Sequence, residues 1–421
     1  MSSERPRVAF VNLGCRVNRV EADDMAAALA ELGADIVSFD DGPDAVVVNS
    51  CAVTGEAEAK TRKAIRRAAA AEGVSHVIAT GCMAGLFEAE LTAISPKVRV
   101  EVSKQRVPAL AAELLCAGGG RGESGLGGLT ATGRTRPGIK IQDGCDLRCS
   151  YCIVWKARGA STSVPAAQVV GLVSERVAAG AAEVVLTGIN LGRYSDPDGG
   201  LGISGLLELL LERTEVGRLR LSSIEPQDVD GRLLELIAAS DGRIAPFLHI
   251  PLQSGSDAVL ARMGRAYSCG EYARTVELAR EKLGGELSLG CDLIVGFPSE
   301  TDAEHAETMA FVEKMGFSKM HVFKYSRRPG TPAATMEGQV PPELASERSA
   351  EVRELAAAMR RRCLEARVGC EELILVQRGG LGVTGGLFDA LIDGGEEGAL
   401  IRARVSGVSG QGLLDCRQSE L

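Results

Sequence analysis

Three cysteines, Cys145, Cys149 and Cys152, lie in Ile141-Gln142-Asp143-Gly144-Cys145-Asp146-Leu147-Arg148-Cys149-Ser150-Tyr151-Cys152, directly after a short apolar run. Gaps of three and two residues let three thiolates face one iron-sulfur cluster and leave its fourth iron open. A structural zinc site would draw a fourth Cys or His from nearby, and between Cys116 and His249 these three are the only Cys or His. A second set is dispersed. Cys15, Cys51 and Cys82 each follow an apolar run, in Asn12-Leu13-Gly14-Cys15, Asn49-Ser50-Cys51 and Thr80-Gly81-Cys82. Singly, each reads equally well as a small buried hydrophobe. Repetition of strand followed by cysteine favours convergence, because parallel connections place such strand ends on one ligand-binding edge.

The elements that must hold these thiols are legible in outline. Val8 to Leu13, Ala45 to Val48 and Val77 to Ala79 read as buried strands with helices such as Ala22 to Leu32 between them, so residues 6–115 form an open parallel α/β (Rossmann-like) domain. Residues 117–136 hold eight glycines in twenty positions, and 116–136 read as a flexible linker. From 137 to 366, strand-like runs at Ile139 to Gln142, Val184 to Leu186, Leu219 to Ser222, Phe247 to Ile250, Leu287 to Val295 and Met320 to Phe323 alternate with helices. Six parallel strands with crossovers imply a partial or full β/α barrel. An arginine- and glutamate-rich helix from Pro342 to Ala366 follows. Residues 367–421 read as a small β-barrel with strands at Glu372 to Val376, Phe388 to Ile392 and Leu400 to Val405.

With 421 residues, 45% hydrophobic and 24% charged, the chain can build two or three packed domains. It has no stretch of 18 apolar residues and no signal-like apolar core, so a cytoplasmic protein without a membrane partner is expected, in which clustered thiols serve metals or catalysis rather than disulfides. A net charge of −9 argues against indiscriminate nucleic-acid binding, though not against a local basic groove.

In a barrel the chemistry gathers at the carboxyl ends of the strands. There fall Cys145, Thr187-Gly188-Ile189-Asn190, Glu225-Pro226, Gln253-Ser254-Gly255 and Gly296-Phe297-Pro298. A cluster with one open iron can chelate the amine and carboxylate of an amino acid, and S-adenosylmethionine offers both beside a sulfonium cleavable by one electron. That first step needs no acid-base triad, which fits a chain with only four histidines.

Across nearly the whole chain the motifs resemble a known family. The Cys145, Cys149 and Cys152 triplet is similar to that of radical S-adenosylmethionine enzymes, and Cys15, Cys51 and Cys82 to those of their methylthiotransferase branch. Asn12 to Asn18 (Asn-Leu-Gly-Cys-Arg-Val-Asn), Leu221 to Pro226, Pro251 to Ser256 and Asp292 to Pro298 with Glu300-Thr301 carry this resemblance. Within the branch three substrates compete: tRNA N6-threonylcarbamoyladenosine at position 37, tRNA N6-isopentenyladenosine, and an aspartate of a ribosomal protein. Arg16-Val17, Leu186 to Gly192, His321 to Phe323 and Tyr325-Ser326 resemble the first.

The resemblance implies two 4Fe-4S clusters. Cys145, Cys149 and Cys152 would hold the one that reductively cleaves S-adenosylmethionine, whose radical takes hydrogen from C2 of the modified adenine. Cys15, Cys51 and Cys82 would hold an auxiliary cluster carrying the sulfur, and a second S-adenosylmethionine would supply the methyl group. Tyr151, Gly188, Asn190, Glu225, Gln253, Ser254, Val295 and Gly296 are the candidate cofactor contacts. An electron donor such as flavodoxin or ferredoxin and a sulfur donor of unknown identity are further implied partners.

Two expected arginines of the family are Ala160 and Thr162 here, leaving Lys156 and Arg158 in that loop. The small barrel resembles the TRAM-like RNA-binding module of the branch, yet residues 371–421 carry eight acidic and four basic side chains and one aromatic, Phe388. Such a net charge makes a poor phosphate clamp, unless Arg378, Arg402 and Arg404 share a face. Candidate tRNA contacts are Arg62 and Arg66, within a run from Lys60 to Arg67, and Lys319, Lys324, Arg327 and Arg328 around the last barrel strand. The rival from another class is a non-catalytic iron-sulfur or zinc protein that binds RNA or carries electrons.

Overall fold

The computed structural model describes residues 5–115 and 134–418, so most of the glycine-rich stretch, 116–133, lies outside the described residues. The first unit runs β1 (Arg7–Asn12), α1 (Arg16–Glu31), β2 (Asp35–Val37), β3 (Ala45–Ser50), α2 (Gly55–Ala70), β4 (His76–Gly81), α3 (Cys82–Leu86), α4 (Glu88–Thr92), β5 (Val98–Val100) and α5 (Val107–Leu114). Its sheet is all parallel, in the order β2-β1-β3-β4-β5. Val46, Val47 and Val48 of the central strand are fully buried on both faces, as a parallel sheet covered by helices on each side requires. Thr54 Oγ1 accepts from the Ala57 amide at 3.1 Å and starts α2 next to the β3 loop.

The second unit comprises β6 (Gly138–Lys140), β7 (Gln142–Asp143), α6 (Val154–Arg158), β8 (Thr162–Ser163), α7 (Ala166–Ala178), β9 (Glu183–Thr187), α8 (Ile203–Arg213), β10 (Arg218–Leu221), α9 (Gly231–Ala239), β11 (Phe247–His249), α10 (Asp257–Met263), α11 (Cys269–Leu283), β12 (Ser288–Val295), α12 (Asp302–Met315), β13 (Lys319–Lys324) and α13 (Pro342–Glu365). Parallel pairing gives β6-β9-β10 and β11-β12-β13. Parallel bridges Leu219–Ile244 and Ser223–His249 join the two sheets between β10 and β11. No pairing links β6 to β13 among the described residues, so of the two alternatives the barrel is the partial one, with a lateral gap between those edges.

Strand alternation decides what faces the lumen. Val184, Leu186, Leu219, Leu221, Leu248, Leu289, Cys291, Leu293, Met320 and Val322 pack outward into the helical layer. Their neighbours in sequence, Glu183, Thr187, Arg218, Arg220, His249, Asp292, Lys319 and His321, therefore point inward. The lumen is a polar row, and a polar interior is where a charged cofactor or substrate is held rather than a packed core.

The last unit is a closed barrel of β14 (Glu371–Gln377), β15 (Leu381–Thr384), β16 (Asp389–Ile392), β17 (Leu400–Val408) and β18 (Leu414–Gln418), ordered β14-β15-β16-β18-β17. It sits under the amino ends of the large-barrel strands. Phe247 packs with Leu375, Val383 and Leu387, and Arg218 donates to the Leu373 and Val383 carbonyls at 2.6 and 3.0 Å. Arg220 donates to the carbonyls of Gly385 and Thr384 at 2.8 and 2.9 Å. Glu183 lies between the two guanidiniums and accepts from Arg218 Nε at 2.5 Å and Arg220 Nε at 2.7 Å. Burial raises the Glu183 carboxyl, but both arginines outweigh it and hold it down at about 2.

Candidate active site

The three dispersed cysteines occupy neighbouring loops at the carboxyl edge of the first sheet: Cys15 caps α1, Cys51 follows β3 and Cys82 opens α3. Asn18, fully buried, ties the first two loops together. Its Nδ2 donates to Asn49 Oδ1 at 3.0 Å and to the Ser50 carbonyl at 2.9 Å, while Asn49 Nδ2 donates back to the Asn18 carbonyl at 2.6 Å. Ser50 Oγ then accepts from the Met83 amide at 3.0 Å and so holds the third loop. Gly81 has φ +89°, and a Cβ there would meet Asn49 Oδ1 and the Ser50 carbonyl, both at 2.5 Å. The close approach of these loops depends on that glycine. Burial raises the Cys15 thiol and lifts Cys51 to about 11, and the pKa of each is raised further by Cys82 nearby.

The clustered triad sits on the loop between β7 and α6. Burial raises Cys145, next to Cys149 and to the Asn190 side chain, which bonds it. Burial also pushes Cys152 up to about 12, with Cys149 and Cys145 contributing. Donors already aim at these sulfurs: Arg265 Nη1 lies 3.2 Å from Cys149 Sγ, and the Val154 amide 3.4 Å from Cys152 Sγ. Such donors stabilise thiolates bound to a metal, and bound metal deprotonates a thiol outright. Gln142, which sequence reasoning passed over, shapes this loop. Its Nε2 donates to the Asp143 and Gly144 carbonyls and to Ser161 Oγ, each at 2.9 Å, and its Oε1 accepts from the Asn190 amide at 2.8 Å. A Cβ at Gly188 would come within 2.8 Å of that Oε1, which explains the glycine.

Helix α6 joins the two triads. It starts two residues after Cys152, is about 7.5 Å long, and its Ile153 and Ala157 flank enters the core that contains Cys82 and Met83. Arg158 at its end has a side chain only 1% exposed. It donates to Asn18 Oδ1 at 3.0 Å, to Glu21 at 2.9 and 3.1 Å, and to Asp143 Oδ1 at 2.9 Å. Lys140 reaches Glu21 and Asp143 at 2.8 Å each. Arg158 thus braces one cysteine loop against the other, its guanidinium engaged by Asn18, Glu21 and Asp143.

On the rim, Thr187 Oγ1, Asn190 Oδ1 and Ser222 Oγ are buried without a hydrogen-bond partner among the described residues. Orphaned polar atoms on consecutive strand ends fit a polar ligand seated there. Glu225 is paired with Arg265; burial raises its carboxyl, and the arginine pulls the other way. Gln253 is a non-glycine residue at φ +66°, a conformation that costs about 1 kcal/mol or more and gathers at ligand sites. Its amide donates to the Asp292 carbonyl at 2.8 Å, leaving the side chain in no hydrogen bond among the described residues. Tyr151 packs beside Val259, Met263 and Phe297. Ser254 is fully buried and faces α12, with Oγ 3.2 Å from Thr308 Oγ1. Val295 turns its side chain to the helical layer. The Gly296 amide is committed to Glu300 Oε2 at 2.6 Å, and a Cβ on Gly296 would stand 2.7 Å from that of Ala345.

Deeper in the lumen, His249 Nε2 and His321 Nδ1 both approach Asp292 Oδ1 at 3.1 Å. Burial opposes ionisation of Asp292, yet hydrogen bonds from the two imidazoles hold it well below the usual carboxylate range. Among the described residues this is the one set of three ligating side chains whose ligand atoms all lie within 4.8 Å. Neither cysteine triad is so compact, as one tetrahedral zinc with Zn–S near 2.3 Å would require; clusters spread their thiolates wider.

The basic residues divide. Arg328 is buried beside Glu58 of α2, and Arg62 is engaged by Glu58 and Glu90, so both join elements within the protein. Arg66, Lys324 and Arg327 are exposed, and Lys319 is half-buried at the lateral gap. In the small barrel Arg378 pairs with Glu397 at 3.5 Å, Arg402 with Asp241 at 3.1 Å, and Arg404 donates to the Gly369 carbonyl at 3.2 Å.

Comparison with known proteins agrees with this architecture. Residues 139–312 match the radical SAM superfamily, and residues 7–103 match the uncharacterized protein family UPF0004. The chain is 35% identical to the threonylcarbamoyladenosine tRNA methylthiotransferase MtaB of Thermotoga maritima, over 97% of this chain and 96% of that protein. It is 37% identical to the protein of the same name from Bacillus subtilis, over 81% and 78%. It is also 34% identical to the tRNA-2-methylthio-N(6)-dimethylallyladenosine synthase of Novosphingobium aromaticivorans, over 90% and 88%. In fold it resembles the radical S-adenosylmethionine methyltransferase TsrM of Kitasatospora setae, with TM-score 0.56 at 16% identity over 78% of this chain and 75% of that one. No helix among the described residues is long and apolar enough to cross a membrane. Family, fold and relatives agree: the chain is a transferase that belongs to the radical S-adenosylmethionine methylthiotransferases.

Proposed function

We propose that the protein installs a 2-methylthio group on N6-threonylcarbamoyladenosine at position 37 of tRNA. The observation that carries this reading is the bracing of two cysteine triads across α6, which suits a reaction needing both a radical source and a sulfur source within one site. Cys145, Cys149 and Cys152 hold one 4Fe-4S cluster, and Cys15, Cys51 and Cys82 a second. When bound, the first cluster with S-adenosylmethionine supplies a carbon radical, and the second supplies sulfur to C2 of the adenine.

The chain's own residues orient these groups. Asn190 and Arg265 donate to the sulfurs of Cys145 and Cys149, and Gln142 fixes the loop that carries them. Thr187, Asn190 and Ser222 offer their unpartnered oxygens to S-adenosylmethionine at the rim, and Gln253 offers its side-chain carboxamide. Arg66, Lys324 and Arg327 remain to contact the tRNA backbone. The names of the Thermotoga and Bacillus relatives and the Arg16-Val17 pair favour threonylcarbamoyladenosine over isopentenyladenosine.

Iron and sulfide assay of anaerobically reconstituted protein tests the pair of clusters. Two 4Fe-4S clusters are expected in the unaltered chain. Replacing Cys15, Cys51 and Cys82 by Ala should halve the iron and spare S-adenosylmethionine cleavage under dithionite, whereas Cys149→Ala should abolish cleavage. Unchanged iron in the first variant, or surviving cleavage in the second, overturns the assignment.

A further inference from the structure

The lateral gap of the large barrel is bordered by three cations that form no direct ion pair among the described residues. Arg16, next to Cys15 and exposed at the start of α1, faces the charges of Arg136, Arg220 and Asp292. Arg136 immediately precedes the edge strand β6, and Lys319 begins the opposite edge strand β13, where it faces Arg360 and Asp389 and, beyond them, Arg16 and Arg136. Among the described residues, none of Arg16, Arg136 and Lys319 makes an ion pair or a side-chain hydrogen bond. Each carboxylate close by is engaged by another group, and Asp389, which lies near both Arg136 and Lys319, pairs with Arg360 at 3.6 Å. Asp292 is bonded by His249 and His321 at 3.1 Å each, and Glu183 is held by Arg218 and Arg220 at 2.5 and 2.7 Å. Burial, together with the neighbouring cations, lowers the pKa of Lys319 and of Arg136, so crowding these groups together is unfavourable until an anion arrives.

We propose that Arg16, Arg136 and Lys319 form a carboxylate-binding subsite in the lateral gap, which receives the acid of the N6 substituent while the purine ring lies above it toward the rim. This rests on the threonylcarbamoyl reading and deepens it. Alternation along β13 puts Lys319, His321 and Phe323 on one side of that strand, and Phe323, 40% exposed, gives the base an aromatic surface between the subsite and the cysteine loops. A threonylcarbamoyl group carries one carboxylate; an isopentenyl group carries none and would leave three cations stranded. The gap is thereby a device for choosing between the two kinds of tRNA.

The test compares anticodon stem-loop RNAs bearing N6-threonylcarbamoyladenosine, its methyl ester or isopentenyladenosine. Affinity is measured by fluorescence anisotropy on the cluster-loaded protein. The unaltered chain should bind the acid about 10- to 100-fold more tightly than the ester. Arg16→Gln and Lys319→Gln should each erase most of that difference and leave ester binding as it was. Lys319→Gln lies far in sequence from any cysteine ligand, so it carries the test should Arg16→Gln lose iron. Equal loss on acid and ester, with a flatter salt dependence, would assign these cations to backbone phosphate and overturn the subsite. So would retention of the acid-over-ester preference in both variants. If the unaltered chain instead binds and methylthiolates only the isopentenyl RNA, the threonylcarbamoyl reading itself fails, a result distinct from the other two.

Discussion

Replacing Glu183 by Gln tests the floor on which the polar lumen is built. The carboxylate is completely buried between Arg218 and Arg220, and those arginines in turn hold four carbonyls of the small barrel. Its carboxyl is held at about 2 in the folded protein, against an ordinary value of 4.5. That difference is worth about 3 kcal/mol of stability at neutral pH. Leaving the two guanidiniums uncompensated gives a similar figure, about 3–5 kcal/mol for breaking a buried pair from one side. Because the folded pKa is depressed, this contribution is complete above about 4.5 and fades as pH falls toward 2. Amide hydrogen exchange of β14 and β15 at neutral pH is the assay, since those strands receive the arginine bonds. Glu183→Gln should speed it about 100-fold. The acid-induced loosening of the same strands between pH 4.5 and 2, present in the unaltered chain, should be weaker in the variant. A change of less than about threefold, or an identical acid response, would refute the idea that this one carboxylate holds the module in place.

Three further outcomes follow from named contacts. Arg158→Met strips Glu21, Asp143 and Asn18 of their shared partner, and should cost about 3–5 kcal/mol in urea unfolding of the cluster-free protein; thiol labelling of Cys82 should become faster, and unchanged labelling would remove Arg158 as the brace. Gly81→Ala forces a Cβ against Asn49 and Ser50 at a positive φ, so the reconstituted variant should lose the iron of one cluster while keeping S-adenosylmethionine cleavage, and full iron content would contradict the stitched-loop account. Charge reversal at the exposed Arg66 and Lys324 should weaken tRNA binding and reduce its logarithmic salt slope by about 1 per lost phosphate contact, and an unaltered slope would move the backbone contacts elsewhere.

The parts of this molecule that were legible in its sequence are those written locally. Cysteines after apolar runs located three loops on one sheet edge, and glycine-rich strand ends located the rim. Short elements escaped: β2 and β5 are three residues each, and β15 and β18 are brief strands beside glycine turns in the small barrel. Inward alternation in the large barrel was also hidden, because runs such as Val184 to Leu186 read as uniformly buried although Glu183 and Thr187 beside them face the lumen. Long-range pairing was the least visible. Arg158 was noted only as one of two basic residues left in a loop where two family arginines are missing, yet it is spent on Glu21, more than a hundred residues earlier in the chain. Arg328 and Arg62 were likewise candidate tRNA contacts by their place in basic runs, and each meets Glu58. Gln142 carried no signal at all, since a glutamine at a strand end has no distinctive spacing.

The most direct test of the account is mass spectrometry of nucleosides from digested tRNA of cells lacking the gene and of the same cells with it restored. 2-Methylthio-N6-threonylcarbamoyladenosine should be absent in the first and return in the second, but not return with Cys51→Ala. Unchanged levels of that nucleoside across all three, or a methylthio group restored on isopentenyladenosine instead, would contradict it.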